Sequence, residues 1–321
     1  KYAAPTGFKS LCTQNLSDTF SGDDVNNPSN FFDISLWRGT ADAHDKKGFG
    51  FSPDLVWFKN RSDDASNMVF DTIRGVQKVI YTDTTALETD ASTTLTAFNS
   101  DGFTVSTKNE ANGIYDSIAA FAWDAGTAAV TANTDGATNA TASWKNSTAG
   151  FSMTAWEGTG SATTVGHGLS AKPDFIIVIN RDYATNRAVY HSSLGAGKSI
   201  LLNSDGEAFT PSPSTAAWNN TEPTDTVFSV GTYNSNNGSG HSMIAYSWTA
   251  VPGYSAFGKY TSSGTNPYFI HTDFRPKWMV IKRTDTANNW GILDSVRYPT
   301  NQALHALSFN LNEDEAYYGK L

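Results

Sequence analysis

Two aspartates are each followed three residues later by an arginine: Asp71 with Arg74 in VFDTIRG, and Asp294 with Arg297 in ILDSVR. A carboxylate and a guanidinium at that spacing after an apolar run can close a turn as an ion pair or present a polar surface to a ligand. In a third related stretch, AVYHSSLG, the aspartate position holds His191. A catalytic acid does not alternate with imidazole between copies, so the ion pair is read as structural. Asp101, Glu157 and Asp205 sit in SDG, WEG and SDG contexts, where carboxylates normally cap backbone amides. Glycoside cleavage would need two carboxylates held ~5 to 10 Å apart in a cleft, which spacing along the chain does not reveal.

Nucleotide and metal chemistry find little support. GTGSATTVGHG (158–168) lacks the lysine of a phosphate loop, and GAGKS (195–199) lacks its first glycine and reads as a hairpin turn. No two of the six histidines fall at metal-ligand spacing, and the single cysteine, Cys12, has no partner. Turn oxygens such as those of NTDG (133–136) are the kind that hold a structural calcium ion, but no EF-hand pattern accompanies them. No other cofactor is expected, and the chain reads as a non-enzyme.

Aromatic faces are the remaining resource, because they stack on sugar rings and anchor interfaces. Trp37, Trp57, Trp123, Trp156, Trp248, Trp278 and Trp290 lie in strand-like contexts and read as core. Trp144 in ATASWKNS and Trp218 in TAAWNNTE lie in polar, loop-like surroundings, as do Tyr183 and Tyr233. With His167 of GHG, which is either a turn residue or the rim of a binding surface, these form the candidate ligand-binding set.

The elements that must carry these residues repeat. PDLVWFKNR (53–61), PDFIIVINR (173–181) and RPKWMVIKR (275–283) each read as a buried strand, roughly 100 to 120 residues apart, a domain-sized period. The middle position holds Trp57, Ile177 and Met279. Upstream of each lies an alternating segment that fits a half-buried antiparallel strand: FFDISLWRGT (31–40), GFSMTAWEGTG (150–160) and GYSAFGKYTSSG (253–264). Downstream come the VFDTIRG-like stretches. The first two units end on closing strands, SIAAFAWDAG (117–126) and HSMIAYSWTAVPG (241–253), whereas Leu321 arrives before a third.

These patterns predict an all-β chain of tandem antiparallel β-sandwich units, with the third incomplete and the polypeptide continuing. Residues 1–30 read as the exit strand of an upstream domain and a linker, 31–126 as the first repeat, and 127–149 as a connector. Residues 150–252 form the second repeat and 253–321 a truncated third. Net charge is -9 without a basic cluster, which argues against nucleic acid, and no apolar run is long enough for membrane insertion.

The combination APTGFKSLCTQNL, PDLVWFKNR with VFDTIRG, FNSDGFTV and AFAWDAG resembles a repeat-domain family of marine bacteriophage, cyanophage-like, virion and tail-fibre proteins. VGHGLSAKPDFIIVINR, VYHSSLG and FRPKWMVIKRTDTANNWGILDSVR are similar to the same family. There the APTGFKSLCTQNL segment follows a SPRY, concanavalin-like domain. The resemblance implies concanavalin- or lectin-like, jelly-roll β-sandwich units in a protein of the virion surface whose partners are copies of itself as a homotrimer or larger assembly, other virion proteins, and host surface glycans. A structural spacer without ligand, and a glycan-degrading tailspike enzyme, are the other readings; the family carries over no site residue.

Overall fold

The structure is a computed structural model that describes residue 25 and residues 27–126, 133–212, 217–262, 264, 269–300 and 305–317. The exit strand expected over 1–16 lies outside them. The fold is all-β, built from antiparallel sheets.

The first unit runs β1 (Phe32–Arg38), β2 (His44–Lys47), β3 (Leu55–Asn60), β4 (Met68–Asp71), β5 (Lys78–Tyr81), β6 (Thr89–Asp90), β7 (Leu95–Asn99), β8 (Gly102–Val105), α1 (Asn109–Asn112) and β9 (Ser117–Trp123). Its main sheet has the order β1-β9-β3-β4-β5-β6, and a smaller sheet, β2-β8-β7, packs across it. Val56, Phe58, Met68, Phe70, Phe103 and Val105 fill the space between the two. The opposite face of the main sheet, with Leu55, Trp57, Val69, Ile80 and Phe121, is buried as well. PDLVWFKNR is therefore a continuous apolar run because β3 is covered on both faces.

The second unit repeats this plan with β10 (Ala142–Asn146), β11 (Phe151–Glu157), β12 (Thr163–Gly166), β13 (Phe175–Asn180), β14 (Ala188–His191), β15 (Ile200–Leu201), β16 (Val227–Val230), α2 (Asn234–Asn237) and β17 (Ser242–Trp248). The main sheet is β10-β11-β17-β13-β14-β15 and the small one β12-β16. β10 falls inside the stretch expected to be a connector, where it pairs with β11 as an added edge strand. GAGKS forms the turn between β14 and β15, with Lys198 N donating to Gly195 O.

The third unit keeps only part of the plan: β18 (Trp278–Ile281), β19 (Gly291–Asp294), β20 (His305–Ala306) and β21 (Ala316–Tyr317). β18 pairs with β19 as β3 does with β4, and Ile292 bridges Leu307 as Val69 pairs with Ile80. Two expectations change here. Residues 253–264 do not form the predicted strand; among the described residues they show turns, coil and one bridge, Val251 to Ser255. The register also moves by one, since Trp278 and Val280 point inward with Leu55 and Trp57, while Met279 is 37% exposed. Anchoring on the prolines places Val280, not Met279, opposite Trp57 and Ile177, and a one-residue shift in a strand exchanges its faces.

The inner faces of all three units meet in one core. Trp57 stacks on Phe309 of the third unit with ring centroids 3.8 Å apart, Trp123 lies 6.1 Å from Trp248 of the second unit, and Trp278 lies 5.4 Å from Trp123. An amphipathic sheet must bury its second apolar face against something, and here each does so against the other two. Equivalent hydrogen bonds close the ring. Glu88 N donates to Arg181 O (2.9 Å), Ala208 N to Thr284 O (3.1 Å) and Glu315 N to Arg61 O (2.9 Å), joining first to second, second to third and third to first.

Candidate functional site

The Asp-x-x-Arg pairs belong to these seams. Arg74 Nε lies 2.5 Å from Asp71 Oδ2, its Nη2 donates to Val69 O at 2.9 Å, and its Nη1 meets Glu88 at 3.3 Å. Glu88 also takes both arms of Arg181, at 2.8 and 2.9 Å. The third unit reproduces the set: Arg297 pairs with Asp294, donates to Ile292 O at 3.0 Å and reaches Glu315 at 2.7 Å, which in turn holds Arg61 at 2.6 Å. At the second-to-third seam the four positions are His191, Leu194, Ala208 and Thr284, so the whole ionic set is replaced together. His191 Nδ1 accepts from Ser193 N at 3.0 Å, and burial pushes its pKa down.

Two predicted contact residues are core residues. Trp218 is 1% exposed and packs with Trp156, Tyr190 and Phe228 between the sheets of the second unit, its ring 5.7 Å from Tyr190. Its polar neighbours in sequence made it resemble a loop tip, but the indole turns inward and cannot stack on a sugar. His167 is fully buried; its Nδ1 accepts from Leu169 N at 3.0 Å and its Nε2 lies 3.2 Å from Thr224 O. Burial lowers its pKa to about 4, so it stays neutral and fastens a turn rather than rimming a surface.

Trp144 is half-buried on β10 against the shared core, and Tyr233 is half-buried where it precedes α2. Tyr183 is 50% exposed and stacks on the His241 ring at 5.7 Å. The five residues are thus not brought together. In NTDG, Asn133 Oδ1 accepts from Asp135 N at 2.8 Å, an ordinary side-chain-closed turn. Among the described residues, no group of three or more His, Cys, Asp or Glu is placed to hold a metal ion.

The exposed surface with the most chemistry lies at the loop end of the first unit, on residues the sequence reading passed over. Gly39 approaches Gly113 so closely that a Cβ on Gly39 would sit 2.0 Å from Gly113 O. Asn112, fully buried, accepts from Thr40 N and donates to Asp42 O and Ser106 O, tying the β1–β2 loop to α1. Gly158, Thr159, Asn237 and Gly238 repeat this clamp in the second unit, with Asn237 donating to Ser161 O and Gly231 O. The paired GT and NG dipeptides, RGT with ANG and EGT with NNG, were the signal available in the sequence.

On that rigid base Ile114 and Tyr115 project as a knuckle, 60% and 69% exposed. Tyr115 holds a φ of 71°, a left-handed conformation that costs a non-glycine residue about 1 to 2 kcal/mol. Its N–H donates to Gly39 O at 2.9 Å, and the Arg38 guanidinium lies 4.8 Å over its ring. Before the knuckle, α1 and the β3–β4 loop wall an open groove of ≈ 460 Å³ lined by Asp63, Asp64, Lys108, Asn109, Glu110 and Asn312. Behind it Lys59 is buried, donating to Ala65 O and Leu311 O, with its pKa lowered to about 8 by burial. The groove thus spans the seam between the first and third units and carries carboxylates, two amides and an ammonium.

Comparison with curated proteins finds no match, and comparison with solved structures finds none either. One family model extends across all three units, from residue 27 to residue 320, in keeping with their single shared core, and the chain belongs to the family it defines, described as "Domain of unknown function (DUF7483)".

Proposed function

We propose that this chain is a structural and attachment module of a bacteriophage virion surface or tail fibre, touching host-surface glycans through its loop ends rather than acting as an enzyme. The observation that carries the reading is the knuckle: an exposed tyrosine held at a strained φ on a clamped base that follows α1, whose first residues line a polar groove. Strain at an exposed aromatic residue is retained where its position matters, and aromatic faces with nearby amides and carboxylates suit sugar rings. Tyr183 with His241 offers a second, smaller platform at the loop end of the second unit. The resemblance to virion proteins supplies the setting, and with it assembly with copies of itself and other virion proteins.

A purely structural role is the second reading, favoured by the burial of Trp218 and His167. The test is binding of the chain to a glycan array and to host cells, with its oligomeric state measured by sedimentation. Saturable binding that Tyr115→Ala or Tyr183→Ala weakens about tenfold, the loss of one stacking contact, supports attachment. Binding unchanged in both variants, or absent from the assembled protein, leaves the spacer role.

A further inference from the structure

The β3–β4 hairpin sets a buried amine opposite a buried amide. Its ladder runs from Leu55 with Asp71 to Phe58 with Met68, and the next step places Lys59 across from Asn67. Directly opposed side chains leave a sheet on the same face, with Cβ atoms about 5 Å apart. Lys59 is 2% exposed and Asn67 1%. Both reach one acceptor. Lys59 Nζ donates to Leu311 O at 3.1 Å and Asn67 Nδ2 donates to it at 3.0 Å, so the two nitrogens are no more than about 6 Å apart. The corresponding pairs are Ile179 with Arg187 in the second unit and Lys282 with Trp290 in the third, so only the first unit pairs an amine with an amide.

The surroundings suit a reaction between the two. Asn67 Nδ2 lies 3.0 Å from three carbonyl oxygens, those of Ser308, Phe309 and Leu311. An amide nitrogen carries two hydrogens and serves two acceptors, whereas a nitrogen departing as ammonium carries enough to serve all three. The cradle therefore matches the leaving group better than the resting amide, which is how a site favours bond cleavage. Burial lowers the Lys59 pKa to about 8, leaving about a tenth of it as the nucleophilic free amine at pH 7. Asp83 completes the cluster. Its Oδ1 accepts from Asn67 N at 2.9 Å, it is the charge acting most strongly on Lys59, and burial raises its pKa, as suits a carboxyl that takes up and returns a proton.

We propose that the protein cross-links itself here, the Lys59 amine displacing the side-chain nitrogen of Asn67 to leave an amide bond between β3 and the residue before β4. Lys59 Nζ attacks Asn67 Cγ, and the Asp83 carboxylate takes the proton that Nζ gives up. As the Nζ–Cγ bond is completed the Cγ–Nδ2 bond breaks, and the proton passes to Nδ2, which leaves as ammonia. One amide is exchanged for another, so atoms and electrons balance without a co-reactant. The link pins the turn between its ends, whose Asp63, Asp64, Ala65 and Ser66 wall the groove.

The experiment is the intact mass of the whole purified chain, followed by tryptic mapping. The folded protein is expected to be about 17 Da lighter than its sequence, the mass of one ammonia. Trypsin spares an acylated lysine, so the digest should contain a branched species joining residues 48–61 to 62–74. Mapping separates this from ammonia lost at Asn112–Gly113 or Asn237–Gly238, which leaves Lys59 cleavable. Asp83→Asn keeps an oxygen for Asn67 N but cannot carry the proton, and should lower the linked fraction by about tenfold or more. The full sequence mass in the wild-type chain after a day at room temperature, or an ammonia loss mapped to other residues, overturns the proposal. A link that forms equally in Asp83→Asn overturns the part assigned to Asp83.

Discussion

Removing the Glu88 carboxylate should loosen the seam between the first and second units. Glu88 accepts two hydrogen bonds from Arg181 and lies 3.3 Å from Arg74, and its side chain is only 11% exposed. Breaking one partner of a buried ion pair costs about 3 to 5 kcal/mol, and exposed pairs are worth under about 1 kcal/mol. Arg181 keeps 21% side-chain exposure and can turn partly to water, whereas Arg74 stays satisfied by Asp71, Val69 O and Lys78 O. Glu88→Ala should therefore cost about 2 to 3 kcal/mol, which for a domain of this size lowers Tm by about 3 to 5 °C. The second-to-third seam already shows how the place is filled without charge, by Ala208 and Thr284. Copying it as Glu88→Ala with Arg181→Thr should cost less than Glu88→Ala alone, with a coupling energy of about 1.5 kcal/mol in a double-mutant cycle read by urea denaturation. A loss below about 0.5 kcal/mol for Glu88→Ala, or strictly additive costs, would refute the view that the seams are held by buried ionic contacts.

Three further outcomes follow from the same structure. Asp54 is buried and hydrogen-bonded to Ala125 N and Thr72, and burial, aided by Asp124, pushes its pKa up to about 7. Its protonated form is the one the fold favours, so its contribution is complete below pH ~4 and is lost as pH rises through 7, by up to about 4 kcal/mol; Asp54→Asn should flatten stability over that window in denaturation at stepped pH. Gly39→Ala and Gly158→Ala would place a methyl 2.0 and 2.1 Å from backbone carbonyls, and each should destabilise by more than about 3 kcal/mol by calorimetry, unlike Gly197→Ala, which meets nothing. Trp218→Ala should cost about 3 to 5 kcal/mol as a core cavity, whereas Tyr115→Gly, relieving the left-handed φ, should leave stability unchanged or raised by up to about 1 kcal/mol in the same measurement.

Much of the fold was legible because its signals are local. The apolar runs of β3 and β13, the alternation of β1 and the GAGKS turn each state a backbone conformation within a few residues, whereas β11, expected half-buried, is buried from Phe151 to Trp156 because the shared core covers one face and the second unit's own core the other. The Asp-x-x-Arg pairs were readable for the same reason, since both partners lie on one turn. The ring was hidden: Glu88 and Arg181 stand 93 residues apart, and Arg61 and Glu315 stand 254 apart. The site was less legible still. Trp218 sits among Asn, Thr and Ala, yet its indole is the side of that loop that turns inward, and Tyr115 owes its position to Gly39, whose close approach to Gly113 is marked in the sequence only by the recurring GT and NG dipeptides, which do not say that the two glycines meet.

By itself the sequence determined that the chain is all-β, that it repeats, and which segments become the central strands of the first two units, because alternation, turn residues and apolar runs act through neighbouring residues; the third copy, β18, is a partly exposed strand of a two-stranded sheet. Only the tertiary structure decided that the repeats share one core and close on one another, that Val280 rather than Met279 faces it, and that residues 253–262 remain outside the sheet. A strand needs a partner to hold it, and a sheet needs a second surface to cover its other face. Both are supplied by residues far away along the chain, so neither is written in the segment that depends on them.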